Sequence, residues 1–203
     1  MVMKVPLFPL DVVLFPGTPL PLHIFEERYK EMIGECLAER TGFGVVRAQR
    51  EGLAVIGCMA KIVRVLHEYD DGRLDILCEG QDRFEIEMLD NSRDFLQAEV
   101  DFFSDDGAVS TRQSREECLA LHFEVLELAG VDHQPSNLNL DAPIAFQLAW
   151  AIPSDLGFKQ QLLSIRSDAE RTQQLCEFYN TMLPKLRIGA RASKVAHGNG
   201  HVM

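Results

Sequence analysis

With 203 residues, 46% of them hydrophobic and 25% charged, the chain has material for one large domain, or for a medium domain with a smaller partner, and does not have a disordered composition. Its formal charge of −11 opposes binding to nucleic-acid phosphates unless basic side chains gather on one face. Residues 1–103 carry 11 Lys and Arg against 19 Asp and Glu, so the N-terminal half supplies no such face.

The five cysteines (Cys36, Cys58, Cys78, Cys118 and Cys176) are odd in number and widely spaced, with no Cys-x-x-Cys, so neither a disulfide framework nor a zinc knuckle is indicated. Cys36, Cys118 and Cys176 fall on apolar faces of predicted helices, where a thiol behaves as a small hydrophobe. Met1-Val2-Met3-Lys4 runs into prolines rather than an apolar signal core, and no apolar run approaches membrane-spanning length. A reducing cytoplasm is the expected setting, with no membrane partner.

Residues 5–29 set the pattern. Five of the nine prolines (Pro6, Pro9, Pro16, Pro19 and Pro21) punctuate an almost wholly apolar stretch. Proline removes a ladder donor and pushes its predecessor toward extended backbone, so the stretch reads as short strands at edges or bulges. Phe15-Pro16-Gly17-Thr18 forms the turn between two of them. From Phe25 a helix face appears at Phe25, Tyr29, Met32, Ile33, Cys36 and Leu37. A strand at residues 42–47 follows, then a long one through Met59, Ile62, Val63, Val65 and Leu66. Tyr69-Asp70-Asp71-Gly72 turns the chain back through Leu74, Ile76, Leu77 and Cys78, because Asp-Gly supplies the positive φ that a tight hairpin needs. A separate strand at 83–89 alternates Phe84, Ile86 and Met88 with Glu85 and Glu87, and another spans 96–102.

Residues 104–110 break the pattern and read as a linker between a β domain, 1–103, and a four-helix region, 111–184. Ser114 with Glu117, and Ser167 with Glu170, have capping-box spacing; Asp141 reads as the N-cap of a buried helix at 142–151. A short helix begins at Pro153-Ser154-Asp155, and the last one, burying Leu175, Cys176, Tyr179 and Met182, stops at Pro184. Lys185, Arg187, Arg191 and Lys194 then form a basic tail, 185–203, expected to be mobile.

Pro-Leu-Phe-Pro-Leu-Asp-Val-Val-Leu-Phe-Pro-Gly (6–17) and Leu-Pro-Leu-His-Ile-Phe-Glu-Glu-Arg-Tyr (20–29) resemble the start of the N-terminal, substrate-binding domain of Lon proteases and of stand-alone bacterial Lon-domain proteins. The resemblance continues through Phe43-Gly44-Val45-Val46, Ile56-Gly57-Cys58-Met59, Asp71-Gly72-Arg73-Leu74 and Gly80-Gln81-Asp82-Arg83-Phe84, and through Lys159-Gln160-Gln161-Leu162-Leu163, covering about residues 4–183. It implies an α+β chain: a small PUA-like β-barrel with one early helix, followed by a helical region.

Chemistry-bearing motifs are missing. There is no Gly-Lys dipeptide for a phosphate loop and no Gly-x-Ser-x-Gly elbow. His67-Glu68-Tyr69-Asp70-Asp71 opens like a metallopeptidase helix but has Asp71 at the second histidine position and lies on a hairpin. Asp70, Asp71 and Asp75 lack the spacing of a calcium loop. His23, His67, His122 and His133 are scattered, and His122 on an apolar face reads as a core histidine. No cofactor, metal or catalytic residue is therefore expected. By resemblance the chain captures unfolded or flexible polypeptide, for delivery to a protease or chaperone machine, with Leu14, Phe15, Glu26, Glu27 and Arg28 as candidate contacts. Phe15 reads more readily as a core plug, and Glu26 and Glu27 as helix-dipole carboxylates. RNA binding stays open as an alternative if Arg47, Arg50, Lys61 and Arg64 converge, as does an enzyme acting on a small molecule in a cleft.

Overall fold

The proline-rich opening becomes two strands that serve different neighbours. In β1 (Met3–Leu10) the first half pairs antiparallel with β7 (Gln97–Phe103), and the second half pairs parallel with β3 (Phe43–Gln49). The handover falls at Pro6–Leu7, where proline's missing donor is tolerated because each half of the strand has one strand neighbour. Since β7 pairs with β6 (Leu74–Asp90), β6 with β5 (Ile56–Glu68), and β5 with β3, the β1–β3 pairing closes a ring of five strands. The short β4 (Gly52–Leu53) extends β3, and β2 (Pro19–Ile24) pairs with β6 outside the ring. Val5, Leu7, Val46, Phe84, Ala98 and Val100 fill a core cluster of the barrel.

The computed structural model describes residues 3–131, 138–152 and 154–198, with no description of side chains 191–198. Met1, Val2, His133, Pro153 and residues 199–203 lie outside the described residues. The chain divides into two units, Met1–Ser104 with Ser154–Arg166, and Asp105–Pro153 with Ser167–Met203.

In the first unit the turn at Pro16–Gly17 places Gly17 at φ 70°, and Thr18 closes it by donating from both its N–H (3.2 Å) and its hydroxyl (2.8 Å) to the Phe15 carbonyl. The turn docks on β6: Gly17 N–H donates to the Gly80 carbonyl (2.8 Å), and Gly80 N–H donates to the Thr18 carbonyl (3.0 Å). A Cβ at Gly80 would lie 2.0 Å from the Phe15 carbonyl oxygen, so glycine is required there. The two strands expected at 74–78 and 83–89 are one 17-residue strand, which pairs with β5 across Gly80 and also first with β2 and then with β7. The hairpin turn places Gly72 at φ 80°.

Helix α1 (Glu27–Glu39) starts later than its apolar spacing predicts. Glu26 is the N-cap, and Phe25 lies before the helix and is 59% exposed rather than on its buried face. After the helical stretch that follows the barrel, the chain returns to the β unit as α4 (Leu156–Ser164), capped by Asp155, whose carboxylate accepts from Phe158 N–H at 2.9 Å. Gln160 donates to the Ile56 carbonyl, and buried Arg83 donates to the carbonyls of Leu163 (2.8 Å) and Ile165 (2.6 Å) beyond the helix end. The expected region 111–184 is thus split, with residues 154–166 belonging to the β unit.

The second unit holds α2 (Arg112–Ala129), α3 (Ala145–Ala151) and α5 (Asp168–Gly198). Three local expectations change. Thr111, not Ser114, caps α2 by accepting from Ser114 N–H; α3 begins at Ala145 after Ile144 rather than being capped by Asp141; and α5 continues through Pro184 to Gly198. Beyond Pro184, Arg187 pairs with Glu124 of α2 at 2.5 Å, a tertiary contact that local propensity does not encode. The expected linker 104–110 is engaged as well. Asp105 makes a two-pronged pair with buried Arg171, and Ser110 donates from its N–H and hydroxyl to Asp168.

Two glycine substitutions should move stability in opposite directions. Gly80→Ala forces carbonyl and Cβ apart and should cost about 1–3 kcal/mol, as core overpacking does. Gly34→Ala, on an exposed helical position with nothing within 4 Å, should gain about 0.5–1 kcal/mol. Urea titrations of the three proteins give both signs.

Candidate functional site

Two of the sequence-selected residues are withdrawn from solvent. Phe15 is 0% exposed and Leu14 is buried beside it, so neither is a surface anchor, and Phe15 is the core plug. Glu26, Glu27 and Arg28 do reach the surface. Arg28 pairs with Glu26 at 2.7 Å and lies 4.6 Å above the Tyr29 ring, while Glu27 pairs with Lys30. Tyr29 in turn stacks on Phe8 at 4.1 Å. A surface groove of about 310 Å³ runs here between the end of β1 and the β2–α1 junction, floored by apolar side chains with Glu26 and Arg28 at its rim.

An aromatic run leads out of this groove. Phe25 stacks on His23 (5.9 Å between centroids), His23 meets the edge of Tyr69 (5.8 Å), and Tyr69 meets His67 (4.3 Å). The run crosses β2, the hairpin turn and the end of β5. Asp75 on β6 ties it together, accepting from Tyr69 Oη at 2.8 Å and bonding His23 Nδ1 at 2.6 Å. Immediately before His67, β5 exposes Val63, Val65 and Leu66. Beyond Ala60 this strand pairs with β6 on one side and, among the described residues, with no strand on the other. Register shifts flank Val63 and Leu66, so bulges turn their side chains outward while the backbone edge stays open.

Phe25, His23, Tyr69 and His67 were not singled out as a group by sequence. The missing signal was the helix start. No Ser, Thr, Asp or Asn precedes Glu27, so nothing local marked Phe25 as lying outside the helix.

Arg47 and Arg50 line one surface pocket with Asp11 and Glu51, whereas Lys61 lines another with Arg40 and Asp82. Among the described residues no group of three His, Cys, Asp or Glu could hold a metal ion, and no helix is long and apolar enough to cross a membrane. His122 is a core histidine, its Nδ1 2.8 Å from the Tyr179 hydroxyl.

Residues 4–181 match the family model described as the ATP-dependent protease La (LON) substrate-binding domain. The chain belongs to the Lon substrate-binding domain family. It is 27% identical over 212 residues to a Lon protease of Parabacteroides distasonis, covering 95% of this chain and 26% of that protein. It is 30% identical over 206 residues to a Lon protease of Roseiflexus castenholzii, covering 93% and 25%. It therefore spans about a quarter of the length of these Lon relatives. Among solved structures, the Lon N-terminal domain protein of Xanthomonas campestris superposes with a TM-score of 0.69 at 25% identity, over 85% of this chain and 96% of that one. The N-terminal domain of Mycobacterium avium complex Lon protease shares the fold, with a TM-score of 0.62 at 18% identity over 88% and 98%.

Within this Lon-type domain the Asp75 knot carries a pH signature. Its carboxyl is held below the ordinary aspartate value, first by the His23 hydrogen bond and then by that from Tyr69. The stabilisation is therefore present above the ordinary aspartate value, about pH 4, and is lost as the pH falls through the lower folded value. Tyr69→Phe should raise the Asp75 midpoint, as read from its carboxyl carbon in an NMR titration; an unmoved midpoint would show that the hydroxyl is not bonded to Asp75 in solution.

Proposed function

We propose that the β unit captures extended or unfolded polypeptide and performs no chemistry of its own. The observation that carries this reading is the aromatic run from the Phe8–Tyr29 groove to the open edge of β5. Membership of a family described as substrate-binding supports it, as does the lack of a Gly-Lys phosphate loop and of a Gly-x-Ser-x-Gly elbow in the sequence.

An extended segment has unpaired N–H and C=O groups that the free edge of β5 can satisfy, and apolar side chains that Val65, Leu66 and Phe25 can cover. A folded client has neither to offer. Each of these half-exposed side chains gains about 1–1.5 kcal/mol on burial, so one segment contributes on the order of 3–4.5 kcal/mol gross. Association and ordering cancel much of that. Capture is accordingly weak and reversible, which suits passing a chain onward to a protease or another machine.

The chain should bind a reduced, carboxymethylated protein more tightly than the same protein folded, and binding should survive moderate salt, because apolar burial is not screened. Phe25→Asp and Leu66→Asp should weaken capture about tenfold while leaving the melting curve nearly unchanged. Phe15→Asp, which places a carboxylate in the core, should instead lose several kcal/mol of stability. Fluorescence anisotropy with labelled clients reads the affinities. Equal affinity for folded and unfolded forms across a salt titration would overturn the proposal.

A further inference from the structure

The helical unit contains a second set of reactive groups, unrelated to the groove. Helices α2 and α5 are held in register at two points. Ser110, just ahead of α2, bonds the carboxylate of Asp168 at the start of α5, and His122 Nδ1 meets the Tyr179 hydroxyl at 2.8 Å. Cys118 lies one helical turn before His122, and Cys176 one turn before Tyr179. The two thiols are thus at facing positions on the next rung of α2 and α5.

The two sulfurs are not equally reachable. Cys118 is fully buried, whereas Cys176 is partly exposed and lines a surface pocket of about 370 Å³ with Ser110, Ser114, Glu117 and Thr172. The neighbouring Cys118 thiol favours the Cys176 thiolate and pulls that thiol down, against burial and the charges of Glu117 and Glu177. Cys118 is correspondingly pushed up. The other three thiols are all driven up by burial, Cys58 and Cys78 to about 12. Cys176 is the one cysteine of the five that combines access with a stabilised thiolate.

We propose that Cys118 and Cys176 are a redox pair that closes to a disulfide when a hydroperoxide reaches the pocket. The Cys176 thiolate attacks the terminal peroxide oxygen. An S–O bond forms, the O–O bond breaks, and with one proton the leaving oxygen departs as water (or as an alcohol from an organic hydroperoxide). Sulfur is oxidised by two electrons and the peroxide is reduced. The Cys118 sulfur then displaces hydroxide from the Cys176 sulfenic acid, its own proton completing a second water, and the S–S bond forms. In sum, two thiols and one hydrogen peroxide give one disulfide and two waters. Closure brings the two facing sulfurs to about 2.05 Å. Closure ties α2 to α5 covalently, and a dithiol restores the starting state.

The full chain, folded and reduced, is treated with a small excess of hydrogen peroxide, then unfolded in guanidinium chloride, capped with N-ethylmaleimide and weighed intact. Labels should fall from five to three, peptide mapping should join the Cys118 and Cys176 peptides, and dithiothreitol should restore all five. Oxidised protein should melt higher than reduced protein. Cys36→Ser and Cys58→Ser should keep the link, while Cys118→Ser and Cys176→Ser should each abolish it together with the melting shift. If Cys118→Ser does not fold, Cys176→Ser, at the partly exposed position, decides the matter. Five labels after peroxide, a link to any other cysteine, or Cys176 passing to sulfinic acid with Cys118 still free would overturn the proposal.

Discussion

A buried arginine holds the β unit to its returning helix. Arg83 sits on β6, 4% exposed, above the Phe103 ring, and its guanidinium donates to the carbonyls of Leu163 and Ile165 at the end of α4. Those carbonyls are the groups a helix leaves without internal partners, and they form the negative end of its dipole. Cation and helix end thus satisfy each other. A guanidinium left without acceptors at that depth would cost several kcal/mol. The position of α4 is therefore fixed by Arg83, just as the position of the Phe15 turn is fixed by Gly80 three residues earlier. One strand, within four residues, anchors both peripheral pieces of the unit.

What the sequence made legible follows from how local each cause is. The Gly72 hairpin and the Pro16–Gly17 turn are each decided within about four residues, and both read correctly. The barrel was expected from the resemblance to Lon-type domains, whereas apolar alternation set only the strand faces. The continuity of β6 through Gly80, the return of α4 and the passage of α5 through Pro184 depend on partners far along the chain, which no window of sequence contains. The site shows the same division. Glu26 and Arg28 were found from the family motif and do rim the groove, but Leu14 and Phe15 share that motif because they build the core. His23, Tyr69 and His67 became a group only when three separate elements met at Asp75.

Each unit buries an arginine and gives it acceptors. In the β unit Arg83 donates to the carbonyls of Leu163 and Ile165. In the helical unit Arg171, 2% exposed, is held by the Asp105 carboxylate at 2.5 and 2.7 Å, with Asp168 at 3.6 Å, and it covers the Phe146 ring at 4.2 Å. Asp168 also anchors Ser110. A stretch that looks like a spacer in composition is thereby part of an ionic core, and its polar residues are structural.

The path of the chain has a consequence for how such proteins can change over time. It leaves the β unit at Ser104, builds most of the helical unit, re-enters the β unit as α4 and leaves again after Arg166. Neither unit is a continuous stretch of gene. A single recombination crossover at the end of the last barrel strand would separate Arg83 from the carbonyls that satisfy it. Exchange of the helical unit alone would need junctions on both sides of α4. Replacing the barrel without α4 would leave the Arg83 guanidinium without the Leu163 and Ile165 carbonyls, so the two segments of the β unit can only be exchanged as a pair.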